Sequence, residues 1–272
     1  TAFSPRPTFA ADTIDSVNPK VSASWLAVPE RGTRSATTRL RAAFGTGIRP
    51  PDAFEIAFTD NPGLKPERSR SIEAGVTQTL AAGRVQADAT WFHNTYDDLI
   101  ISVGRLAAAS RYTTANIANA RARGAELSLA VRPVPALAAR GTYTWLDSEV
   151  RDVDGASGQA PPPFRVGDRL LRRPRHQGSL DLMWSQGRLQ AFAQAAMRGQ
   201  TLDVEPNFGT FGGLFENDGY AVVTTGAAVT LTRNLTVYGR LVNAFAADYE
   251  DVFGYPALGR TAYVGLRLAV RH

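Results

Sequence analysis

The sequence predicts an all-β fold, a transmembrane antiparallel β-barrel portion of about eleven strands. Three observations predict it. Apolar and polar residues alternate with period two, short turns alternate strictly with longer loops, and no stretch approaches the roughly 18 to 20 consecutive apolar residues of a membrane-spanning helix. A barrel strand crosses a membrane with only about 10 residues of alternating character, so this pattern suits a barrel.

The alternation is clearest between residues 260 and 271. Even positions there carry apolar side chains from Ala262 to Val270, whereas odd positions carry Thr261, Tyr263 and arginines. The same period recurs at 84–91, 179–184, 188–198 and 235–241. Several of these apolar faces are rich in alanine, which lipid tails accept more readily than the close-packed core of a soluble sandwich.

The predicted strands follow one another along the chain. They cover residues 20–29, 37–48, 68–80, 84–103, 111–131, 136–148, 174–185, 187–199, 219–232, 234–245 and 260–271. Short turns lie at 30–36, 81–83, 132–135, around Gln186 and at Arg233, and longer loops lie at 49–67, 104–110, 149–173, 200–218 and 246–259. Transmembrane barrels have this asymmetry, with tight periplasmic turns and long outer loops.

Aromatic residues lie on these strands, several of them near strand ends, where an interfacial girdle would place them. They are Trp25, Trp91, Tyr96, Tyr143, Trp145, Trp184 and Tyr220. The alternative interpretation is a soluble β-domain with ordinary strand aromatics.

The composition excludes several function classes. The chain has 272 residues and no cysteine, which excludes disulfide scaffolds, cysteine-ligated metal sites and cysteine nucleophiles. With 44% hydrophobic and 20% charged residues, it is too apolar for a disordered chain. The mean hydropathy of -0.18 agrees with strands that alternate between two faces.

Six motifs, in the same order along the chain, resemble the barrel of a TonB-dependent outer-membrane receptor. They lie at 41–51 (RAAFGTGIRPP), 61–67 (NPGLKPE), 71–75 (SIEAG), 116–126 (NIANARARGAE), 171–176 (LRRPRH) and 242–260, which begins VNAF. The cobalamin and siderophore receptor branch is the most similar in style.

The resemblance implies a barrel of about 22 strands closed around an N-terminal plug domain. It also implies import of a metal chelate across the bacterial outer membrane with energy from the TonB complex. We therefore expect residues 1–272 to be the C-terminal half of the barrel, with a lead-in at 1–19 and strands and loops at 20–272. The plug and the N-terminal barrel half, which are the expected partners, would then be absent from this sequence.

Arginine supplies most of the positive charge, since Lys20 and Lys65 are the only lysines. If the apolar faces meet lipid, eight arginines point into the lumen: Arg39, Arg41, Arg84, Arg140, Arg188, Arg198, Arg240 and Arg267. They would bind an anionic chelate or, as the preferred interpretation, pair with the plug or with carboxylates such as Asp88 and Asp181. Arginines at the rim would also meet lipopolysaccharide phosphates. The net charge of +5 is scattered, which disfavours nucleic acid as a partner.

In this family the cargo contacts come from the outer loops and the upper wall. The candidate ligand-binding residues are Phe54, Asp60, Asn61, Tyr96, Asp97, Tyr112, Phe208, Phe211, Phe215, Asn217 and Tyr255. Their aromatic rings offer stacking surfaces to a planar or macrocyclic ligand. Plain loop filling is the alternative for the same residues.

The sequence predicts no enzyme, no cofactor and no resident metal. Its three histidines, His93, His176 and His272, have neither a nucleophile elbow beside them nor metal-ligand spacing. Acidic residues in the loops would also suit calcium ligation, although such residues more often only contact solvent. The leading hypothesis is thus part of a chelate-importing receptor in contact with outer-membrane lipid and lipopolysaccharide. A plugless pore or a structural barrel without active transport remains the alternative.

Overall fold

The computed structural model describes residues 14–30, 36–52, 55, 63–103, 113–153, 165–204, 214–252 and 254–269. The strands are β1 Lys20–Val28, β2 Thr37–Arg49, β3 Glu67–Leu80, β4 Val85–Val103, β5 Thr113–Val134, β6 Leu137–Val153, β7 His176–Gln186, β8 Leu189–Arg198, β9 Thr201–Val204, β10 Leu214–Asn217, β11 Tyr220–Thr230, β12 Leu235–Val242 and β13 Thr261–Leu268. Within the described part of the chain, no helix is long and apolar enough to cross a membrane.

Eleven strands form one sheet in the order β1-β2-β3-β4-β5-β6-β7-β8-β11-β12-β13, and each neighbouring pair is antiparallel. This confirms the predicted architecture. The connections alternate in length as predicted, and the short ones that the structure describes, at 81–84, 135–136, 187–188 and 231–234, lie at one rim of the sheet. We call this rim the short-turn rim and the opposite one the outer rim.

Two details differ from the sequence prediction. Strands β9 and β10 form a separate two-stranded hairpin inside the segment that was expected to be a plain loop, 200–218. Strand β6 continues to Val153 rather than ending at 148, because Asp152 and Val153 still pair with Asn119 and Ala118 of β5. Strand β6 therefore extends further toward the outer rim than the alternating sequence pattern predicts.

The strand register sorts side chains onto two faces. On one face, Val76, Ala89, Leu127 and Tyr143 form a continuous apolar row across β3 to β6. On the other face, the adjacent row is polar, with Thr90, Glu126 and Thr144 beside Gly75. We call the apolar face outward and the polar face inward, since barrel strands alternate in this way between lipid and lumen.

Buried apolar side chains are few among the described residues, as expected for a sheet that meets lipid on one side. The cluster that does exist lies at the outer rim, where Ala120 and Val150 on the inward face pack against Leu170. Tyr96, Leu99, Val153 and Leu214 pack around it. We call these seven residues the rim core.

Candidate functional site

The outer rim is held together by residues from the sequence motifs. Arg49 at the end of β2 donates two hydrogen bonds of 2.7 Å to the carboxylate of Glu67, which begins β3. The backbone N–H of Ile100 donates to the same carboxylate over 2.8 Å. Burial acts to raise the pKa of Glu67, but the bonds from Arg49 and Ile100 outweigh it and hold that pKa below the ordinary value of 4.5.

A second clasp joins the segment before β3 to β5. The side-chain oxygen of Asn116 accepts the backbone N–H of Lys65 over 2.7 Å, and its amide donates to the carbonyl oxygens of Lys65 and Asp98 over 2.8 and 2.7 Å. One side chain on β5 thereby satisfies three backbone groups in two other segments. The motifs at 61–67 and 116–126 therefore meet at the outer rim.

The hairpin β9–β10 is seated over the inward face at this rim. Leu170 and Leu214 pack into the rim core, and Arg172 donates a 2.8 Å bond to the carboxylate of Asp203, whose side chain is 1% exposed. Arg169 forms an ion pair with Glu216 of β10. The described residues of this hairpin thus lie over the inward face at the outer rim.

The structure describes five of the predicted ligand-binding residues, Tyr96, Asp97, Phe215, Asn217 and Tyr255. Tyr96 packs in the rim core on the inward face, Asn217 donates to the carbonyl of Glu250, and Tyr255 is 75% exposed. Phe215 lies on β10, where it pairs with Asp203. The other predicted contacts, Phe54, Asp60, Asn61, Tyr112, Phe208 and Phe211, lie outside the described residues.

Asp97 lies on the opposite face from the lumen. It is an outward position of β4 and forms an ion pair of 3.7 Å with Arg70 of β3. The physical reason is strand parity, since Asp97 lies six residues after Trp91 and side chains on a strand repeat their direction every second residue. The described geometry does not bring Asp97 together with the inward-facing candidates.

Six of the eight predicted lumen arginines lie on inward positions of strands: Arg39, Arg41, Arg140, Arg198, Arg240 and Arg267. Arg84 and Arg188 lie in tight turns at the short-turn rim instead. The amide of Arg84 closes its turn by donating to Ala81, and the Arg188 side chain donates to the carbonyl of Leu231. Turn residues leave the strand pleat, so the period that orients strand side chains does not apply to them.

Arg41 is neutralised within the wall. Its guanidinium donates to Thr77 and Thr90 over 2.7 and 2.6 Å and lies 3.5 Å from the carboxylate of Asp88. Asp88 also accepts from Thr77 over 2.6 Å. This group matches the expectation that some lumen arginines pair with barrel carboxylates.

Arg240 and Arg267 are arranged differently. The Arg240 guanidinium lies 4.9 Å from the ring centre of Tyr263, and that of Arg267 lies 6.0 Å from the ring centre of Tyr238. Both line a groove of about 750 Å³ on the inward face, together with Phe192. Neither arginine forms an ion pair with a carboxylate in the part of the chain that is described. The groove therefore presents two cations between aromatic rings.

Sequence reasoning did not identify Leu170, Arg172 or Asp203. Leu170 and Arg172 lie in or beside the motif at 171–176. The motif therefore indicates this segment but not the residues that it contacts. The pairing of Arg172 with Asp203 depends on the path of the loop that carries β9. Among the residues described, no group of three His, Asp or Glu side chains is placed to hold a metal ion.

Comparison with known proteins agrees with this architecture. The family model described as "TonB dependent receptor-like, beta-barrel" matches residues 2–244. The vitamin B12 transporter BtuB of Photobacterium profundum is 24% identical over 229 residues, which cover 83% of this chain and 34% of that protein. The vitamin B12 transporter BtuB of Vibrio vulnificus is 26% identical over 226 residues, covering 82% of this chain and 32% of its own. The chain spans about a third of the length of these curated relatives.

Solved structures show the same fold at lower identity. The pyoverdine outer membrane receptor FpvA of Pseudomonas aeruginosa has a TM-score of 0.69 and 17% identity, covering 93% of this chain and 36% of FpvA. The ferric-catecholate import receptor Fiu of E. coli has a TM-score of 0.67 and 18% identity, covering 92% of this chain and 34% of Fiu. The relatives are named as transporters and receptors, in agreement with the expectation that the protein is not an enzyme. The chain belongs to the family of TonB-dependent receptor β-barrels, which lie in the bacterial outer membrane.

Proposed function

We propose that the receptor containing this chain imports a metal chelate, such as a siderophore or cobalamin, across the outer membrane. The match of the family model to residues 2–244 carries the proposal. The names of the two relatives, both vitamin B12 transporters, support a chelate as the cargo class. In this proposal the chain supplies part of the barrel wall, and the energy comes from the TonB complex through a plug.

The edges of the sheet support a larger barrel. Strands β1 and β13 each have one neighbour, and the described residues of the two strands do not pair with each other. Open edges expose unpaired backbone groups, which cost several kcal/mol each (on the order of 2–7) in lipid. We therefore propose that both edges pair with further strands of the same receptor and that the plug packs against the inward face.

The cargo is proposed to enter over the outer rim. The candidates there are Tyr96, Phe215, Asn217 and Tyr255, to which the residues outside the described part would add. The bond from Asn217 to Glu250 joins the hairpin to the last long loop, so both present one surface. Further down, the arginines of the inward groove would attract an anionic chelate by charge and by guanidinium forks.

An uptake experiment tests this function. The receptor is produced in a bacterial strain that lacks its own cobalamin and siderophore receptors, and labelled cyanocobalamin and ferric catechol and hydroxamate chelates are supplied. We expect one of them to accumulate in a receptor-dependent way that an uncoupler of the proton gradient abolishes. Passage of unrelated small solutes that is insensitive to the uncoupler would contradict active import and would support the alternative, a plugless pore.

A paired variant tests the contribution of the groove. Arg240→Gln with Arg267→Gln removes both groove cations, whereas Arg188→Gln removes a cation from a tight turn. We expect the paired variant to slow uptake of an anionic chelate and to leave a neutral one unchanged, while the Arg188 control leaves both unchanged. Equal slowing of both chelates would argue against an electrostatic role.

A further inference from the structure

One carboxylate ties the tip of the last long loop, 246–259, to the barrel wall. Asp251 accepts a 2.7 Å hydrogen bond from the Arg198 guanidinium and another from the Tyr220 hydroxyl, and both bonds end on the same oxygen, Oδ1. Arg198 on β8 and Tyr220 on β11 lie directly opposite each other on the inward face. The loop therefore reaches back from the end of β12, across β11, to β8. We call these three residues the Asp251 anchor.

The tip of this loop is one ordered unit. Glu250 and Pro256 form an antiparallel bridge. The backbone N–H of Ala257 donates to the carbonyl of Tyr249 over 2.9 Å. The N–H of Gly254 donates to the carboxylate of Glu250 over 2.7 Å. A contact at one residue of the tip therefore sets the position of the whole tip.

The base of the loop is held independently of the anchor. Asn243 is 1% exposed, and its side chain bonds to the backbone of Ala247 and Leu258. Asn243 and Ala246 have φ values of 51° and 55°, in the left-handed region, which such residues adopt only where the surrounding contacts hold them. Loss of the anchor therefore leaves the base in place and frees the tip.

The wall side of the anchor is also fixed without the loop. The other terminal nitrogen of Arg198, Nη2, donates to the carbonyl of Arg172 over 3.2 Å, and the Arg198 side chain is 26% exposed. Arg198 and Tyr220 lie on paired strands, so the sheet register sets the spacing of their donors. The wall thus presents two donors aimed at the place of one carboxylate oxygen.

The loop side of the anchor is open to solvent. The Asp251 side chain is 60% exposed, and an ion pair with so exposed a carboxylate contributes little stability. The tip has two other contacts outside the loop, both uncharged. The Tyr249 ring stacks on Tyr220 with 4.0 Å between ring centres, and Asn217 donates to the carbonyl of Glu250 over 3.1 Å. An external carboxylate can therefore compete with Asp251 for the two wall donors.

We propose that a carboxylate of the cargo releases the tip of the last long loop by taking the place of Asp251 on Arg198 and Tyr220. The two carboxylates exclude each other, because both need the same donors and carry the same charge. An external carboxylate then binds only where the tip has left, and this difference in affinity shifts the loop toward the released position. The proposal rests on the proposed function in one respect, that the carboxylate belongs to the cargo. The exchange at Asp251 does not depend on import.

The distance between two spin labels measures the position of the tip. The chain has no cysteine, so Tyr255→Cys in the tip and Arg151→Cys on β6 give two unique label sites in it, and cysteines elsewhere in the receptor are replaced by serine. The Tyr255 residue and the Arg151 side chain are 75% and 54% exposed. Pulsed electron paramagnetic resonance of the full receptor in lipid vesicles should give one main distance, that of the anchored tip.

A variant of Asp251 tests the anchor. Asp251→Ala should raise the population with the tip released by about two- to fivefold, as expected for the loss of an exposed ion pair. Asp248→Ala is the matched control, because it removes the same charge from an exposed position of the same loop and breaks no ion pair with a residue that the structure describes. The control should keep the distance distribution of the natural chain. An unchanged distribution in Asp251→Ala would overturn the proposal.

Titration with sodium acetate tests the exchange. We expect acetate to raise the released population by about two- to fivefold over sodium chloride at equal ionic strength, and uncharged acetamide to have no effect. Arg198→Gln with Tyr220→Phe should release the tip without acetate and remove the response to it. Equal effects of acetate and chloride on the natural chain would overturn the exchange. The uptake experiment above is scored separately, so a tip that responds to acetate in a receptor that imports no chelate would contradict the proposed function and leave the exchange at Asp251 standing.

Discussion

Arg49 and Glu67 join the ends of β2 and β3 through two hydrogen bonds of 2.7 Å each, in the fork geometry that a guanidinium offers a carboxylate. Both residues belong to motifs that resemble the receptor family. With the Asn116 clasp, they show what these motifs do in this chain. These residues join successive strands at the outer rim, where the long loops begin.

The Arg49–Glu67 pair predicts a stability that depends on acid pH. Because the folded-state pKa of Glu67 lies below its unfolded value, the stabilisation is fully present above the ordinary pKa of 4.5. It is lost as the pH falls below that value and through the lower folded pKa. We expect it to be worth about 1–2 kcal/mol, at the low end because Arg49 is half exposed.

Urea unfolding of the receptor in lipid vesicles at pH 7 and at stepwise lower pH measures this dependence. Glu67→Gln is the control, because it keeps the size of the side chain and removes the titrating group. The difference in free energy of unfolding between the natural chain and Glu67→Gln should shrink as the pH falls. A difference that is constant over the acid range would contradict the prediction.

The Asn116 clasp predicts a graded effect of two substitutions. Asn116→Ala loses all three bonds, whereas Asn116→Asp keeps the oxygen that accepts from Lys65 but turns a charged oxygen toward the carbonyl oxygens of Lys65 and Asp98. Each lost bond to the backbone costs about 0.5–1.5 kcal/mol. We expect faster proteolysis at the outer rim in both variants, with Asp at least as fast as Ala, because in the Asp variant a carboxylate oxygen faces two carbonyl oxygens. A protection pattern identical to that of the natural chain would show that the clasp has no role in the order of the rim.

The strands could be predicted because their period persists. Strands such as Leu189–Arg198 and Thr261–Leu268 alternate over eight residues or more, and the two faces of the sheet differ in what they contact. The hairpin could not be predicted in this way. Thr201–Val204 and Leu214–Asn217 have four residues each, too few to establish a period.

In the candidate site, the sequence predicts which face a strand residue occupies, because successive side chains on a strand point to opposite faces. Arg41 and Arg240 lie inward for this reason, and the outward place of Asp97 follows from the same rule. Parity fails at Arg84 and Arg188, because turn residues leave the pleat. The alternation of side chains along a strand also predicts no partner for a loop residue such as Arg172. Its partner, Asp203, lies 31 residues further along the chain, and the folded path of the loops brings the two together.

The surroundings of three glycines predict that substitution by alanine lowers the free energy of unfolding by different amounts. A Cβ at Gly124 of β5 would lie 2.1 Å from the backbone oxygen of Trp145 and 2.7 Å from the ring of Phe92. A Cβ at Gly265 would meet the Tyr238 side chain at 2.4 Å, and one at Gly141 would find nothing nearer than 3.8 Å. A clash with backbone in a paired strand is the hardest to relieve, because the neighbouring strand is held by its hydrogen bonds.

We therefore expect Gly124→Ala to lower the free energy of unfolding by about 1–3 kcal/mol or more, Gly265→Ala by less, and Gly141→Ala by close to nothing. Urea unfolding in vesicles measures all three. The double variant Gly124→Ala with Phe92→Ala removes the ring but not the clash with Trp145. It should not regain the stability of Phe92→Ala alone, and recovery to that level would show that the ring, rather than the backbone, sets the cost.

Asn243 holds the last long loop closed in two ways, through its side-chain hydrogen bonds and through its left-handed backbone conformation. Its side chain is 1% exposed, accepts the N–H of Ala247 over 2.8 Å and donates to the carbonyl oxygens of Ala247 and Leu258 over 2.8 and 3.4 Å. Its φ of 51° lies in the left-handed region that Gly and Asn adopt at least cost. The residue therefore fixes both the direction of the chain after β12 and the span from 247 to 258.

Substitution separates the two contributions. Asn243→Gly keeps the backbone conformation and loses the three bonds, whereas Asn243→Ala loses the bonds and adds the left-handed strain of about 1–2 kcal/mol. We expect the free energy of unfolding to fall in the order natural chain, Gly, Ala, with about 2–4 kcal/mol lost for Ala. Asn234→Ala, an exposed change that removes one bond to the Ala269 carbonyl, should cost about 1 kcal/mol or less. Equal stability of the Gly and Ala variants would show that the left-handed conformation adds nothing, and that the hydrogen bonds alone hold the loop.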